Sequence, residues 1–164
     1  MVVVSTARNK TIRSASQSDT EKIVGVLFDS FIEFEPLYTP QGFAATALNA
    51  RDVTIRLTEG PVWVALGDNE LVGTMSVMVK GDAVYIRGMA VLPLSRGQGF
   101  GRLLLDHAEK YARAKACKRL FLSTTPFLTE AIQLYERAGF VRTEEGPHDL
   151  FGTPLFTMEK ILSA

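Results

Sequence analysis

The segment Met89-Ala-Val-Leu-Pro-Leu-Ser-Arg-Gly-Gln-Gly-Phe-Gly-Arg102 carries the clearest chemical signal in the chain. An apolar run ends at Val91, Pro93 closes it, and Gly97, Gly99 and Gly101 follow at alternate positions between Arg96 and Arg102. Behind them Leu103, Leu104, Leu105, Ala108, Tyr111 and Ala112 recur at helical spacing, so the stretch reads as strand, glycine loop and helix start. The first turn of a helix leaves backbone N–H groups without intrahelical acceptors and carries partial positive charge. Glycines let a ligand approach those donors closely, and the ligand such a turn suits is an anion, most often a phosphate. A tight turn without a ligand would use the same glycines.

Spacing narrows the choice of phosphate. A P-loop ends in Gly-Lys-Ser/Thr, whereas Gly101 is followed by Arg102 and Leu103. A dinucleotide fingerprint starting at Gly97 or Gly99 would need its last glycine at Arg102 or Leu104, and the acid expected about 20 residues onward is missing. What remains is Arg-x-x-Gly-x-Gly, carried by Arg96, Gly99 and Gly101.

The rest of the chain must hold this loop in place. At 164 residues, with 18 Lys plus Arg against 18 Asp plus Glu, the length fits one domain and the charge is balanced. That balance offers no basic field for nucleic acid. Cys117 has no second cysteine to pair with, which fits a reducing cytoplasm, and it reads as a small buried hydrophobe. Met1-Val-Val-Val is short for a signal segment, and no apolar run approaches the roughly 20 residues of a membrane span. His107 reads as a helix-face residue, and no metal-ligand spacing is visible. The expectation is a cytoplasmic protein without metal, membrane or nucleic-acid partner; a homodimer stays open.

In chain order, residues 1–9 read as a loose tail and residues 10–164 as a single domain. Thr11–Ser14 reads as a first strand. Ser18 and Glu21 fit a capping box, and Ile23, Val24, Leu27, Phe28 and Phe31 then mark a first helix of about 14 residues. Two prolines and a glycine break Phe34–Gly42, and Asn49 caps a short second helix that stops at Gly60. Val62–Leu66 and Leu71–Val79 form a hairpin around Gly67-Asp-Asn-Glu70, and Ala83–Val91 feeds the glycine loop. A long helix runs to about Ala116, Arg119–Ser123 is a strand, and a last helix over Thr129–Ala138 stops at Gly139. Phe140–Thr143 and Leu155–Lys160 close the sheet. Hairpins combined with crossover helices require an α/β fold with a mixed sheet.

The order of elements, the Arg-x-x-Gly-x-Gly loop, Val91-x-Pro93 before it and Leu134-Tyr-x-x-x-Gly-Phe140 after it resemble the GNAT superfamily of acetyl-CoA-dependent N-acetyltransferases. The resemblance extends over nearly the whole chain. It implies a mixed, mostly antiparallel sheet with splayed central strands flanked by helices. It implies that the backbone of Met89, Ala90 and Val91 holds the pantetheine arm of acetyl-CoA. It assigns the pyrophosphate to Arg96, Gly97, Gln98, Gly99, Phe100, Gly101 and Arg102, chiefly through main-chain amides. Tyr135 matches the family tyrosine that protonates the departing thiolate. A phenol with a reference pKa near 10 stays protonated at neutral pH and can donate.

This sequence also departs from its relatives. Leu128 stands where some of them carry an Asn that contacts CoA, and Tyr85 and Ser123 stand where a carboxylate base is often found. Acceptor-side candidates are therefore Glu33, Glu35, Tyr85 and His148, the last in the Pro- and Gly-bounded loop Gly146–Pro154. With no dedicated base, an α-amino acceptor with pKa near 8 needs less help than a lysine side chain near 10.4. The expected activity is acetyl transfer to a small-molecule or peptide primary amine. A CoA-binding regulatory module without turnover is the alternative, and a nucleotide-binding protein is a distant third.

Overall fold

The computed structural model describes residues 8–146 and 148–163. Strand β1 (Lys10–Ser14) is followed by helices α1 (Thr20–Phe31), α2 (Pro40–Thr46) and α3 (Ala50–Glu59). Strands β2 (Val62–Gly67), β3 (Glu70–Lys80) and β4 (Ala83–Val91) lead through the glycine loop into α4 (Phe100–Ala114). Then come β5 (Arg119–Thr124), α5 (Thr129–Arg137), β6 (Val141–Thr143), the hairpin β7 (Asp149–Leu150) and β8 (Thr153–Pro154), and β9 (Phe156–Ile161).

Seven of the strands form one sheet in the order β1-β2-β3-β4-β5-β9-β6, antiparallel throughout except for β4 beside β5. The expected mixed, mostly antiparallel sheet is present. The β2–β3 turn places Asp68 and Asn69 at φ 51° and 69°, the left-handed values a two-residue hairpin turn requires. Helix α4 buries Leu104, Leu105, Ala108 and Ala112 against one face of the sheet, together with Trp63, Met75, Val77, Val84 and Ile86. Helices α1 and α3 cover the opposite face of the N-terminal half through Ile23, Val26, Leu27 and Val53 on Val62, Val64 and Ala90.

Four details differ from the sequence reading. Arg8 and Asn9, assigned to the tail, bond to the β2–β3 hairpin: Arg8 donates to the Gly67 carbonyl at 3.1 Å and Asn9 N–H to Asp68 at 2.8 Å. Residues 1–7 lie outside the described residues. The first helix is entered through Asp19 rather than Ser18, because the Asp19 carboxylate accepts from Ser16 N–H and from both arms of Arg13. Within Phe34–Gly42 the chain forms a 3₁₀ turn over Ile32–Leu37 and then α2, with Pro40 at the first helical turn, where a missing N–H costs nothing. Finally, within the stretch Gly146–Pro154, read as a loop, Asp149–Leu150 and Thr153–Pro154 pair as the short hairpin β7–β8, and the last strand β9 lies between β5 and β6.

Candidate active site

Strand β4 runs beside β5 only at Ala83↔Arg119, Val84↔Leu120 and Tyr85↔Phe121. From Ile86 to Val91 it keeps β3 on one side and loses β5 on the other. A bulge at this point, with Gly88 at φ 61° and a register shift between Thr74 and Ser76, turns β4 away from its neighbour. The result is a wedge-shaped gap with main-chain edges on two sides, and the glycine loop stands at its end.

In that loop Gly97 and Gly99 have φ 78° and 92°, a region that side chains with a Cβ rarely adopt. A Cβ at Gly97 would meet nothing within 4 Å, and one at Gly99 would meet only Lys10 Nζ at 4.0 Å. The space above the loop is open. The first intrahelical bond of α4 runs from Leu103 N–H to the Gly99 carbonyl at 3.0 Å, so the N–H groups of Phe100, Gly101 and Arg102 precede it without helical acceptors. Gly101 serves packing instead: a Cβ there would sit 2.6 Å from Leu134 Cδ2 of α5 and 3.3 Å from Met89 Cε. Gln98 donates back to the Leu94 carbonyl, and the Phe100 ring is buried beneath the loop.

The two flanking arginines point elsewhere. Arg96 donates to Glu33 at 2.8 Å and to the Ser30 carbonyl at 2.9 Å, joining the loop to the end of α1. Arg102 bonds to Asp106 and to the Arg137 carbonyl. The cation over the loop is Lys10 of β1, 5.8 Å from the Phe100 ring centroid, and among the described residues it has no ion-pair partner. Arg8 stands beside it, bonded to Ser95 Oγ and likewise 5.8 Å from that ring. Sequence spacing alone does not reveal Lys10, because β1 lies about 90 residues from the loop it faces.

Tyr135 is buried in the main core, its ring 6.0 Å from that of Phe140. Burial pushes its hydroxyl up to about 12, with a smaller push from Tyr38. Tyr38 itself is buried and raised by that burial; it packs edge-on against Phe127, 4.9 Å between centroids, with Phe34 6.2 Å from the same ring. Segments from before α2 and after β5 thus meet beside Tyr135. Nearby, at the end of β5, Thr125 Oγ1 is buried and has no hydrogen-bond partner among the described residues. Tyr38 and Thr125 went unread in the sequence, where only chain-distant contacts could have marked them.

The remaining candidates separate. Ser123 lies on β5 past the last β4 pairing and shares a hydrogen bond with Thr157 at 3.3 Å. Tyr85 sits at the closed end of the gap, stacked on Phe121 at 4.9 Å with Lys80 over its ring. Glu33 is held by Arg96, Glu35 is exposed in the 3₁₀ turn, and His148 is exposed just ahead of β7. The structure does not gather Glu33, Glu35, Tyr85 and His148 into one cluster. Among the described residues no group of three or more His, Cys, Asp or Glu comes together, and no helix is long and apolar enough to cross a membrane.

Known proteins resemble this chain in sequence and in fold. A streptothricin acetyltransferase of Streptomyces lavendulae is 29% identical over 78% of this chain and 79% of its own. A peptidyl-lysine N-acetyltransferase of Salmonella typhimurium is 32% identical over 60% of this chain and 62% of its own. In fold, an N-acetyltransferase of Thermoplasma acidophilum, solved in complex with coenzyme A, superposes with a TM-score of 0.80 at 18% identity, covering 94% of this chain and 99% of that one. Residues 25–140 match the family model described as acetyltransferase (GNAT), a span that holds the splayed strand, the glycine loop and the Leu-Tyr-x-x-x-Gly-Phe helix; the chain belongs to the GNAT family of acetyltransferases.

Proposed function

We propose that residues 10–164 act as one acetyltransferase domain that moves an acetyl group from acetyl-CoA to a primary amine by direct attack of the amine on the thioester. The observation that carries this reading is the open, left-handed glycine loop at the end of a strand that has parted from its neighbour. Such a loop offers convergent N–H groups to a pyrophosphate, and Lys10 adds the charge that Arg96 and Arg102 commit elsewhere. The parted edge of β4 from Met89 to Val91 offers main-chain donors and acceptors to the amide-bearing pantetheine arm.

When bound, the cosubstrate supplies a thioester carbonyl open to amine attack. A β4 N–H near Val91 stabilises the negative charge that develops on the carbonyl oxygen. Tyr135, held protonated by its burial, donates a hydrogen bond to the leaving sulfur. Its hydroxyl holds its proton more tightly than a thiol with a reference pKa near 8.5, so the proton that finally rests on sulfur originates in the attacking amine. Tyr135 acts as a relay. With no carboxylate gathered at the gap, the amine enters largely neutral, which favours an α-amino group near pKa 8 over a lysine side chain near 10.4. The single cysteine fits a reducing, cytoplasmic setting.

The test is thiol release from acetyl-CoA across amino acids, peptides, polyamines and aminoglycosides, with the acetylated product identified by mass. CoA binding without acetylation of any amine would refute turnover, and absence of CoA binding would refute the whole reading.

A further inference from the structure

The bulge in β4 aligns Arg87 with Ser76 and Ala90 with Thr74, so Arg87 and Ala90 share one face of the sheet on either side of Gly88. Arg56 of α3 lies on that face: a Cβ at Gly88 would sit 2.5 Å from Arg56 Nη1 and 3.7 Å from Ser76 Oγ. A guanidinium carries five N–H donors and no acceptor, yet Arg56 has neither hydrogen-bond nor ion-pair partner among the described residues, although it is partly buried. Arg87 is close enough to repel it. Arg87 in turn has one arm on Glu59 at 2.9 Å, while its Nε is buried without a hydrogen-bond partner. Glu59, more than a third exposed, and Asp52 both lie close enough to act on Arg56, yet neither comes within ion-pair distance of it. Half-buried donors with no acceptor, beside a like charge, are costly unless an anion completes them.

We infer that Arg56 and Arg87 form the subsite for a carboxylate on the acceptor, so that the acetylated amine belongs to a molecule carrying a carboxylate a few bonds from its nitrogen. The inference rests on the acetyl-transfer reading and names its substrate class. Gly88 and Ala90 are two residues apart, about 7 Å along a strand. A carboxylate on the arginines therefore puts an amine a few bonds away near the β4 edge assigned to the thioester. Two guanidinium groups set side by side offer the paired N–H geometry that matches a carboxylate. Glu59 occupies part of the subsite and would give way or share Arg87 when the acceptor binds.

The experiment compares amines in pairs that differ only in the anion: glycine, L-alanine, β-alanine, 4-aminobutyrate and L-glutamate against the corresponding carboxamides. The expected result is kcat/KM at least tenfold higher for the carboxylate member of the best pair. Arg56→Gln and Arg87→Gln each lower that preference at least tenfold through the acceptor KM, while CoA affinity by calorimetry stays at the parent value and reports that the variants fold. Equal turnover of carboxamides, acetylation of none of the carboxylates, or a preference that survives both substitutions would overturn the subsite. Loss of CoA binding in the parent strikes at acetyl transfer itself, so the two failures are distinct.

Discussion

Lys10 and Tyr135 show how much of this site depends on single side chains brought from far along the chain. Lys10 reaches the loop across the Phe100 ring, and exposed cation–π placement of this kind contributes about 0.5–1 kcal/mol, enough to pre-position the ammonium. Lys10→Met should therefore weaken CoA roughly 5- to 50-fold, more at low than at high salt, because a screened charge is lost. Calorimetry at two ionic strengths checks this; an affinity equal to the parent at both would place Lys10 outside the phosphate site. At Tyr135, burial favours the neutral phenol, so the raised hydroxyl stays protonated throughout the working pH range and contributes no titration below about 11. Tyr135→Phe should keep CoA affinity, lower the single-turnover rate by roughly 10²–10⁴-fold, and leave the shape of the pH profile unchanged. A parental rate would make Tyr135 a packing residue. The glycine loop and the Tyr135 helix were legible in the sequence because each motif is local. Lys10, Tyr38 and Arg56 were not, because each acquires its meaning from a segment many positions away.

At the level of elements, the strand–loop–helix unit around β4 and the β2–β3 hairpin followed from period and turn chemistry alone. Asn49 likewise caps α3, accepting from Asp52 N–H as its sequence context implied. The entry to α1 did not follow. Ser18 and Glu21 fit a capping pattern, but the pairing of Asp19 with Arg13 of β1 overrides it. That pairing, with help from Ser16 N–H, lowers Asp19 to about 2. A carboxyl depressed in the folded state stabilises the fold above its unfolded pKa near 3.9 and loses that contribution as pH falls through the folded value. Because Arg13 is half exposed, solvent screening leaves about 1–2 kcal/mol. Asp19→Asn should then lower stability by that amount at pH 6, and the deficit should vanish between pH 4 and pH 2. Urea denaturation across that range decides it, and a deficit as large at pH 2 as at pH 6 would rule the ion pair out as the cause.

On the scale of the whole molecule, the sheet is two half-sheets joined by a short parallel seam at β4–β5, and the parting beyond that seam is where the proposed site lies. A second join closes the far side. Thr39 N–H donates to Thr153 Oγ1 at 2.9 Å, Thr39 Oγ1 donates to the Phe151 carbonyl at 2.9 Å, and Gly42 leaves the room that lets α2 lie against the β7–β8 hairpin. The aromatics Phe34, Tyr38 and Phe127 that meet beside Tyr135 stand next to this clasp, while the glycine loop belongs to β4 and α4. On the proposed function, the clasp braces the segment carrying Tyr38 on the acceptor side of the gap and leaves the glycine loop untouched. Thr153→Val keeps the shape of a residue only 1% exposed but leaves the Thr39 N–H without its acceptor, a loss of about 1–3 kcal/mol. For a chain of this length that amounts to a fall of roughly 2–12 °C in Tm. CoA at 100 times its Kd adds about 2.7 kcal/mol to either protein. The rise in Tm on adding CoA should thus be the same in parent and variant, while the acceptor KM rises severalfold in the variant alone. If Thr153→Val instead shrinks the CoA-induced rise and leaves the acceptor KM untouched, the clasp supports the cofactor half and the division of labour argued here is wrong.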